Sequence, residues 1–319
     1  MLQSQSDTSF GMTVVKSEDQ PLISVVIPAY NAESWIHDAV NSVYDQTYSH
    51  WELIIVDDGS TDRTRATCER LLARQKHKTR LVTQINSGVS ASRNRGVSSA
   101  SGEMIAFLDA DDVWTPDKLS YQVDWLLSNP SVGAVGCHFN IVSQDLTECV
   151  TQQVAHWDRE SMYQWLLVEG RGVLLPSTLL VRITTLRKVG LFSPDLGTAS
   201  DLDLAWRLVA NTKVDCIPAA LVGYRLSADQ MHKDMNLLRR DYRILFRSIP
   251  ELQGKRVQRR VITNIDALEI LRSRNSGGLT CWLGRATVFL GKHPIWIVGR
   301  VSRGVHRYWR TRVTAVVRK

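Results

Sequence analysis

Three carboxylates fall within four residues at Asp109-Ala110-Asp111-Asp112, directly after the apolar run from Met104 to Leu108. Such a run reads as a buried strand, and its charged end as a turn at the strand's carboxyl terminus. Like charges packed that closely repel unless something positive sits among them. A divalent cation is one answer: Mg²⁺ or Mn²⁺ prefers hard oxygen ligands and keeps positions open for phosphate oxygens and water. An acidic turn that also caps the helix after Pro116 is the other, because Asp is common where a strand gives way to a helix.

Two further strand ends carry polar clusters. Ile23-Ser24-Val25-Val26-Ile27 stops at Pro28-Ala29-Tyr30-Asn31, and Leu53-Ile54-Ile55-Val56 stops at Asp57-Asp58-Gly59-Ser60-Thr61-Asp62. Between them a helix is predicted from about Ser34 to Tyr44, with Ser34 as its cap and Trp35, Ile36, Ala39, Val40 and Val43 at the helical repeat. A second helix is predicted around Thr64 to Arg74, then a short strand at Leu81 to Thr83. The loop Asn86-Ser87-Gly88-Val89 opens a third helix carrying Ser92-Arg93-Asn94-Arg95-Gly96. Strands alternating with helices predict an α/β fold with a mostly parallel sheet flanked by helices, whose strand carboxyl ends form the ligand crevice. Three polar strand ends in one sheet predict one shared site.

These stretches resemble the inverting family 2 glycosyltransferases, enzymes of the GT-A (Rossmann-like) fold that use nucleotide-diphosphate sugars. Gly190-Leu191-Phe192 and Ser200-Asp201-Leu202-Asp203-Leu204 with Arg207 match later blocks of that family, so the resemblance runs over about residues 23 to 230. It implies that Pro28, Tyr30, Asn31, Asp57 and Asp58 hold the nucleotide, with Asp58 receiving an imide N–H of the base. It implies that Gly88, Arg93 and Asn94 brace the nucleotide half, and that Asp109, Asp111 and Asp112 form the family's DXD element. In that element one Asp meets the ribose and another, Asp111 first, meets Mg²⁺ or Mn²⁺ through the diphosphate. Asp201 corresponds to the family's general base, although Ser200 stands where Glu is usual; losing that neighbouring charge lowers the base's pKa slightly. Asp203 and Arg207, four apart, read as a helix-face ion pair. Tyr224-Arg225, followed by Gln230, Met231 and His232, resembles a late element that closes over the diphosphate.

The rest of the chain bounds this reading. Residues 1–20 are polar and expected to be disordered. The domain is expected over 21–230, with a nucleotide-binding half at 21–115 and an acceptor half at 116–230. Strands are predicted at Val132 to Val135 and Leu174 to Val181, and a helix at Arg159 to Val168. Trp114 and Trp206 read as core, and His138 and His156 as ordinary core or surface residues. Cys68, Cys137, Cys149, Cys216 and Cys281 are scattered and odd in number, which fits reduced thiols. With no secretory pattern and no long apolar run, a cytoplasmic location is expected.

Residues 231–319 form a helical basic region. From Lys255 onward fifteen Lys and Arg face only Asp266 and Glu269, a net of +13 against +7 for the whole chain, which leaves −6 for the remainder. From Ile295 valines follow one helical face and arginines another, with Trp296 and Trp309 present. That pattern predicts peripheral contact with an anionic membrane; docking on the domain is the alternative, and no nucleic-acid module is recognisable. The function implied is transfer of a sugar, UDP-sugar favoured, to a carbohydrate or lipid-linked acceptor in surface polysaccharide (exopolysaccharide, lipopolysaccharide) assembly. A non-catalytic nucleotide-sugar-binding module and a nucleotidyltransferase are the rivals.

Overall fold

The computed structural model describes residues 20–73, 78–147, 149–152, 175–225, 235–259, 261–263 and 265–266. The expected disordered segment before Gln20, the helix at 159–168 with Trp165 and His156, and the basic helix after Ile295 lie outside those residues. By its contacts the chain divides into two compact units, residues 1–166 with 171–249, and residues 167–170 with 250–319. The second unit's described part holds a 3₁₀ turn, Pro250–Leu252, and a short helical stretch from Lys255. The rest of the architecture belongs to the first unit.

Its centre is a sheet in which β1 (Ile23–Ala29) lies between two parallel neighbours, β2 (Trp51–Asp57) and β4 (Met104–Phe107). β3 (Thr79–Thr83) extends this block beyond β2, also in parallel. Past β4 the sheet continues through β8 (Leu180–Arg182), β6 (Val132–Val142), β9 (Lys213–Arg225) and β5 (Val113–Trp114), with β7 (Cys149–Gln152) paired to β6. The block formed by β1 to β4 is therefore all parallel. The later half is mixed: β8 runs antiparallel to both β4 and β6, and β6 parallel to β9.

Every residue of β1, β2 and β4 is buried, as expected for strands covered on both faces. The helices α1 (Ile36–Tyr44), α2 (Thr64–Leu72), α3 (Val89–Ser98), α4 (Lys118–Ser128), α5 (Ile183–Val189), α6 (Ser200–Asn211) and α7 (Met235–Ser248) accompany the sheet. Glu52 is a buried charge within β2. Its carboxylate accepts from Ser24 Oγ at 2.7 Å and Ser101 N at 2.6 Å and pairs with Arg80 at 2.9 Å, fastening the edge opposite the acidic turns.

Pro28 fits a central strand for a local reason. Val26 O accepts from Leu108 N and Ala29 O from Asp58 N, so by alternation the missing N–H of Pro28 would face the side where β4 has already ended. Two predicted details differ. Ala32 O accepts from both Trp35 N and Ile36 N at 2.9 Å, so Ser34 lies inside a turn and does not cap α1. The strand expected over 174–181 is a 3₁₀ turn at Pro176–Thr178 followed by β8, because Pro176 has no N–H for a ladder.

The site depends on α3 lying directly on β1. A Cβ at Gly96 would sit 2.2 Å from Cγ1 of the fully buried Val26. Replacing Gly96 by Ala gains about 1 kcal/mol in helix propensity but overpacks the α3–β1 contact by about 1–3 kcal/mol. We expect a net loss of stability in urea unfolding; an unchanged or higher midpoint would show that α3 can lift off without cost.

Candidate active site

Parallel neighbours lie about 4.8 Å apart, so the carboxyl ends of β2, β1 and β4 fall within about 10 Å of one another. The polar residues after them share one edge. Asp58 N donates to Ala29 O at 2.8 Å, and the Asp58 carboxylate is buried. Its Oδ1 accepts from Gln84 Nε2 at 2.7 Å and Ser87 N at 2.9 Å, and its Oδ2 from Gly88 N at 2.8 Å. Asp58 thus anchors the loop that enters α3. A carboxylate offers about four acceptor positions, so one remains for a ligand donor. Gly88 holds φ at +88° with nothing near its missing Cβ, which makes its role conformational and not a matter of space.

Asp57 Oδ1 accepts from Ser60 N at 3.2 Å. Asn31, at φ +48°, accepts from Thr61 N at 2.9 Å and donates its own N–H to Ser60 Oγ at 3.1 Å. The turns after β1 and β2 are therefore stitched together. Tyr30 stands above them, about half exposed.

Arg93, on α3, is almost wholly buried. Its Nη2 donates to Asp109 Oδ1 and its Nη1 to Asp201 Oδ1, both at 2.7 Å, while its guanidinium carbon lies 4.9 Å from the centre of the Phe192 ring. Burial works to lower its pKa, but Asp109 and then Asp201 outweigh it and the net shift is upward. One cation thus joins the acidic turn after β4 to the first turn of α6. The side chains of Asp109 and Asp201 stay 27% and 30% exposed. Burial raises the Asp201 pKa, Arg93 opposes the rise and Asp109 adds to it. Ser200 Oγ lies 3.4 Å from Asp201 Oδ1 and its hydrogen bond works to lower that pKa, but burial prevails and the shift is upward, against the slight lowering expected from the missing neighbouring charge. Among the described residues the hydrogen bonds to Asp201 fall on Oδ1, which leaves Oδ2 to meet another molecule.

The three carboxylates of the acidic turn have different surroundings. Asp112 is 1% exposed; its Oδ2 accepts from Ser177 Oγ at 2.6 Å and its Oδ1 from Arg225 N at 3.2 Å. Burial, then Asp111 and Asp109, push its pKa well above the usual range. Asp111 is half-buried, and its pKa is pushed up to about 6 by burial and by the charge of Asp109. A carboxylate strained this way by a like charge is a hard oxygen donor that a divalent cation would hold ionised, so the donor set fits Mg²⁺ or Mn²⁺. Among the described residues no three His, Cys, Asp or Glu side chains converge as a cage. Of the three, Asp112 faces inward onto Ser177 and the Arg225 backbone, while Asp109 and Asp111 stay partly exposed.

Two more expectations are corrected. Asn94 is taken up by the protein's own backbone: its Nδ2 donates to Phe192 O at 2.8 Å and its Oδ1 accepts from Phe192 N at 3.0 Å, so the amide is engaged in holding that loop. Arg225 does not reach over a diphosphate. It is buried under the acidic turn, where Nε donates to Asp111 O at 2.8 Å, Nη2 pairs with Asp38 at 2.8 Å, Nη1 meets Gln144 O, and the guanidinium lies 4.8 Å from the Trp35 ring centre. Gln230, Met231 and His232 lie outside the described residues. Arg207 pairs with Asp203 at 2.6 Å as expected, and also donates to the carbonyls of Val189, Gly190 and Leu191. Trp114 and Trp206 are core, and Arg95 is an exposed helix face. Ser177 and Asp38 were missed; one is a serine beside a proline and the other an acid on an amphipathic helix, and neither has a distinctive sequence signal.

A family model described as Glycosyl transferase family 2 matches residues 24–166. A glycosyltransferase of Haemophilus influenzae, uncharacterised, is 30% identical over 222 residues, which are 67% of this chain and 68% of that one. The teichuronic acid biosynthesis glycosyltransferase TuaG of Bacillus subtilis is 39% identical over 40% of this chain and 50% of its own. The beta-1,3-glucosyltransferase WfgD of Escherichia coli, which by its name uses UDP-Glc and an alpha-D-GlcNAc-diphosphoundecaprenol, is 40% identical over 35% and 43%. This chain spans half or less of the length of the first four curated relatives it matches. Among solved structures, S. aureus TarS 1–349 with UDP-GlcNAc superposes with a TM-score of 0.61 at 17% identity, covering 85% of this chain and 80% of that one. The Pyrobaculum calidifontis mannosyltransferase PcManGT with GDP-Man and Mn²⁺ gives 0.57 at 19% identity over 85% and 81%. Both likenesses show the fold, the mixed α/β sheet of GT-A glycosyltransferases.

Replacing Arg225 by Met strips the donors from Asp111 O and Gln144 O and removes the positive charge beneath Asp112. We expect a loss of about 2–4 kcal/mol in chemical unfolding, the Asp38 pair contributing little because Asp38 is 40% exposed. An effect below about 0.5 kcal/mol, the range of a surface substitution, would show that Arg225 does not support the turn.

Proposed function

We propose that this chain, which belongs to glycosyl transferase family 2, moves a sugar from a nucleotide-diphosphate sugar to a hydroxyl of a carbohydrate acceptor, with inversion at the sugar carbon. The observation that carries the reading is the pair of half-open carboxylates, Asp109 and Asp201, held on one buried guanidinium at the carboxyl edge of the sheet. A donor on the β1–β2–β4 side would have the Asp58 loop and Tyr30 around its nucleoside and Asp109 and Asp111 beside its diphosphate. Mg²⁺ or Mn²⁺ held there by Asp111, with Asp109 beside it and the other positions filled by phosphate oxygens and water, would act as a Lewis acid on the leaving diphosphate. Asp112 supports the turn from below and does not ligate.

The acceptor side falls to Asp201. As the acceptor oxygen forms its bond to the anomeric carbon and the bond to the diphosphate breaks, the hydroxyl proton passes to Asp201 Oδ2. Oδ1 stays on Arg93, which holds the carboxylate in place through the transfer. A raised pKa makes Asp201 a stronger base than an ordinary carboxylate. A uridine donor is favoured, because WfgD is named for UDP-Glc and TarS binds UDP-GlcNAc. A lipid-linked acceptor in surface polysaccharide assembly, met at the cytoplasmic membrane face, is in keeping with the names of TuaG and WfgD and with the basic sequence after Lys255. Among the described residues no helix is long and apolar enough to cross a membrane.

Asp201→Asn keeps an oxygen for Arg93 but cannot take the proton. We expect transfer to fall roughly 10²- to 10⁴-fold with donor affinity unchanged. Persistent turnover would remove Asp201 from the reaction, and pyrophosphate release from a nucleoside triphosphate would favour a nucleotidyltransferase. The cation reading has its own pH dependence. Protonation of Asp111 removes its charge, so Mn²⁺-assisted binding of UDP should weaken as pH falls through about 6. Calorimetry should show that step in the wild type and none in Asp111→Asn; a pH-independent affinity between 5 and 8 would contradict it.

A further inference from the structure

The helix that carries Asp201 has no cap of its own. α6 opens on Ala199, one of the poorest N-cap residues, and no side chain of its own turn accepts from its N-terminal N–H groups. The N–H of Ala199 and the turn before it are instead met from elsewhere in the sequence. Asp241 Oδ2, on α7, accepts from Gly197 N at 3.0 Å, Thr198 Oγ1 at 3.1 Å and Ala199 N at 3.2 Å. Asp241 is fully buried, and its Oδ1 has no hydrogen-bond partner among the described residues. A carboxylate buried in the apolar stripe of α7, among Leu238, Tyr242, Leu245 and Phe246, costs stability unless its place at the helix end offsets that cost. Gly197 is pressed close against the same helix, since a Cβ there would sit 2.9 Å from Leu237 Cδ2. The preceding residues are held as well, with Arg240 Nη2 donating to Asp195 O and Ser90 Oγ to Leu196 O, each at 3.1 Å.

We infer that Asp241 is a positioning residue for the acceptor side: by gripping the 197–199 turn it sets where the first turn of α6, and with it Asp201, stands relative to Arg93. Asp241 touches no reacting atom and acts only through that turn. The inference places a determinant of the reaction on α7, well beyond the segment matched by the family model. It rests on the reading of Asp201 as the base.

The test compares Thr198→Val, which removes one donor to Asp241, with Asp241→Ala, which removes the grip. Turnover is read as UDP release from whichever of UDP-glucose and UDP-N-acetylglucosamine the full-length wild type hydrolyses faster, and nucleotide affinity as UDP binding with Mn²⁺. Because displacement of a reacting group by about 1 Å can cost 10²-fold, we expect kcat to fall about 3-fold in Thr198→Val and at least about 10-fold in Asp241→Ala. UDP affinity should stay within about twofold of wild type, and the acidic limb of the pH–kcat profile should move with the altered surroundings of Asp201. Unchanged kcat and pH profile in both variants would overturn the inference. So would a fall in kcat matched by an equal loss of UDP affinity, because that is the mark of general unfolding. If Asp241→Ala does not fold, Thr198→Val decides alone. Turnover surviving in Asp201→Asn would sink the base assignment; with that variant inactive, normal turnover in Thr198→Val and Asp241→Ala would sink this inference alone.

Discussion

A guanidinium with almost no access to water lies between two carboxylates, one following β4 and the other opening α6, more than ninety residues apart in the chain. Burying a charge costs several kcal/mol per ion unless its hydrogen bonds are short and its partners fixed. Arg93 meets that condition with two charge-assisted bonds of 2.7 Å and a ring face 4.9 Å away, although its Nε has no partner among the described residues. A lysine could not do the same, because an ammonium has no planar fork to span two acceptors. The neighbours serve this geometry. Asn94, one residue along α3, clamps both backbone groups of Phe192, so the ring beneath the guanidinium is fixed from the same helix that carries it. Because α3 cannot shift away from β1 without opening the Gly96 contact, the spacing between Asp109 and Asp201 is set by the core and not by a loop.

The acidic turn shows how three like charges can coexist when they are placed at different depths. Asp112 is turned inward onto Ser177 and the Arg225 backbone, Asp111 is half-buried, and Asp109 reaches the surface on Arg93. Two arginines, Arg225 beneath the turn and Arg93 beside it, supply fixed positive charge on two sides. Neither pairs with the Asp111 carboxylate, for Arg225 donates to its backbone carbonyl instead. The raised pKa of Asp111 follows from that arrangement, and it marks the position where a mobile positive charge would be most welcome.

Much of the fold could be read in the sequence. Apolar runs ending in polar or charged clusters located β1, β2 and β4, because strands covered on both faces have no reason to alternate. The helical repeat located α1 to within a few residues, and helices were expected where α2 and α3 lie. What the pattern could not show is how buried polar groups divide their bonds. Asp58, Asn94, Asp112 and Arg225 all look like ligand contacts by type and position, yet Asn94, Asp112 and Arg225 are engaged within the protein, and Asp58 has one acceptor position left. Such engagement depends on partners 26 to 187 residues away. Asp241 did leave a local trace, since an acid interrupts the stripe Leu238, Tyr242, Leu245 on α7.

The substitution of Ser200 for the usual acid can be weighed on the same physical grounds. Asp201 sits in the first turn of α6, where the exposed N–H groups of the helix favour a negative charge, and Arg93 favours it further. Burial works the other way and prevails, so the carboxylate is more basic than usual. Ser200 is 1% exposed. A second carboxylate at that depth would add a desolvated like charge beside Asp201 with the same guanidinium to share. The serine hydroxyl instead hydrogen-bonds to Gly197 O at 3.2 Å, within the turn that Asp241 grips, and lies beside Asp201 Oδ1. It therefore leaves Arg93 balanced between two carboxylates and not three.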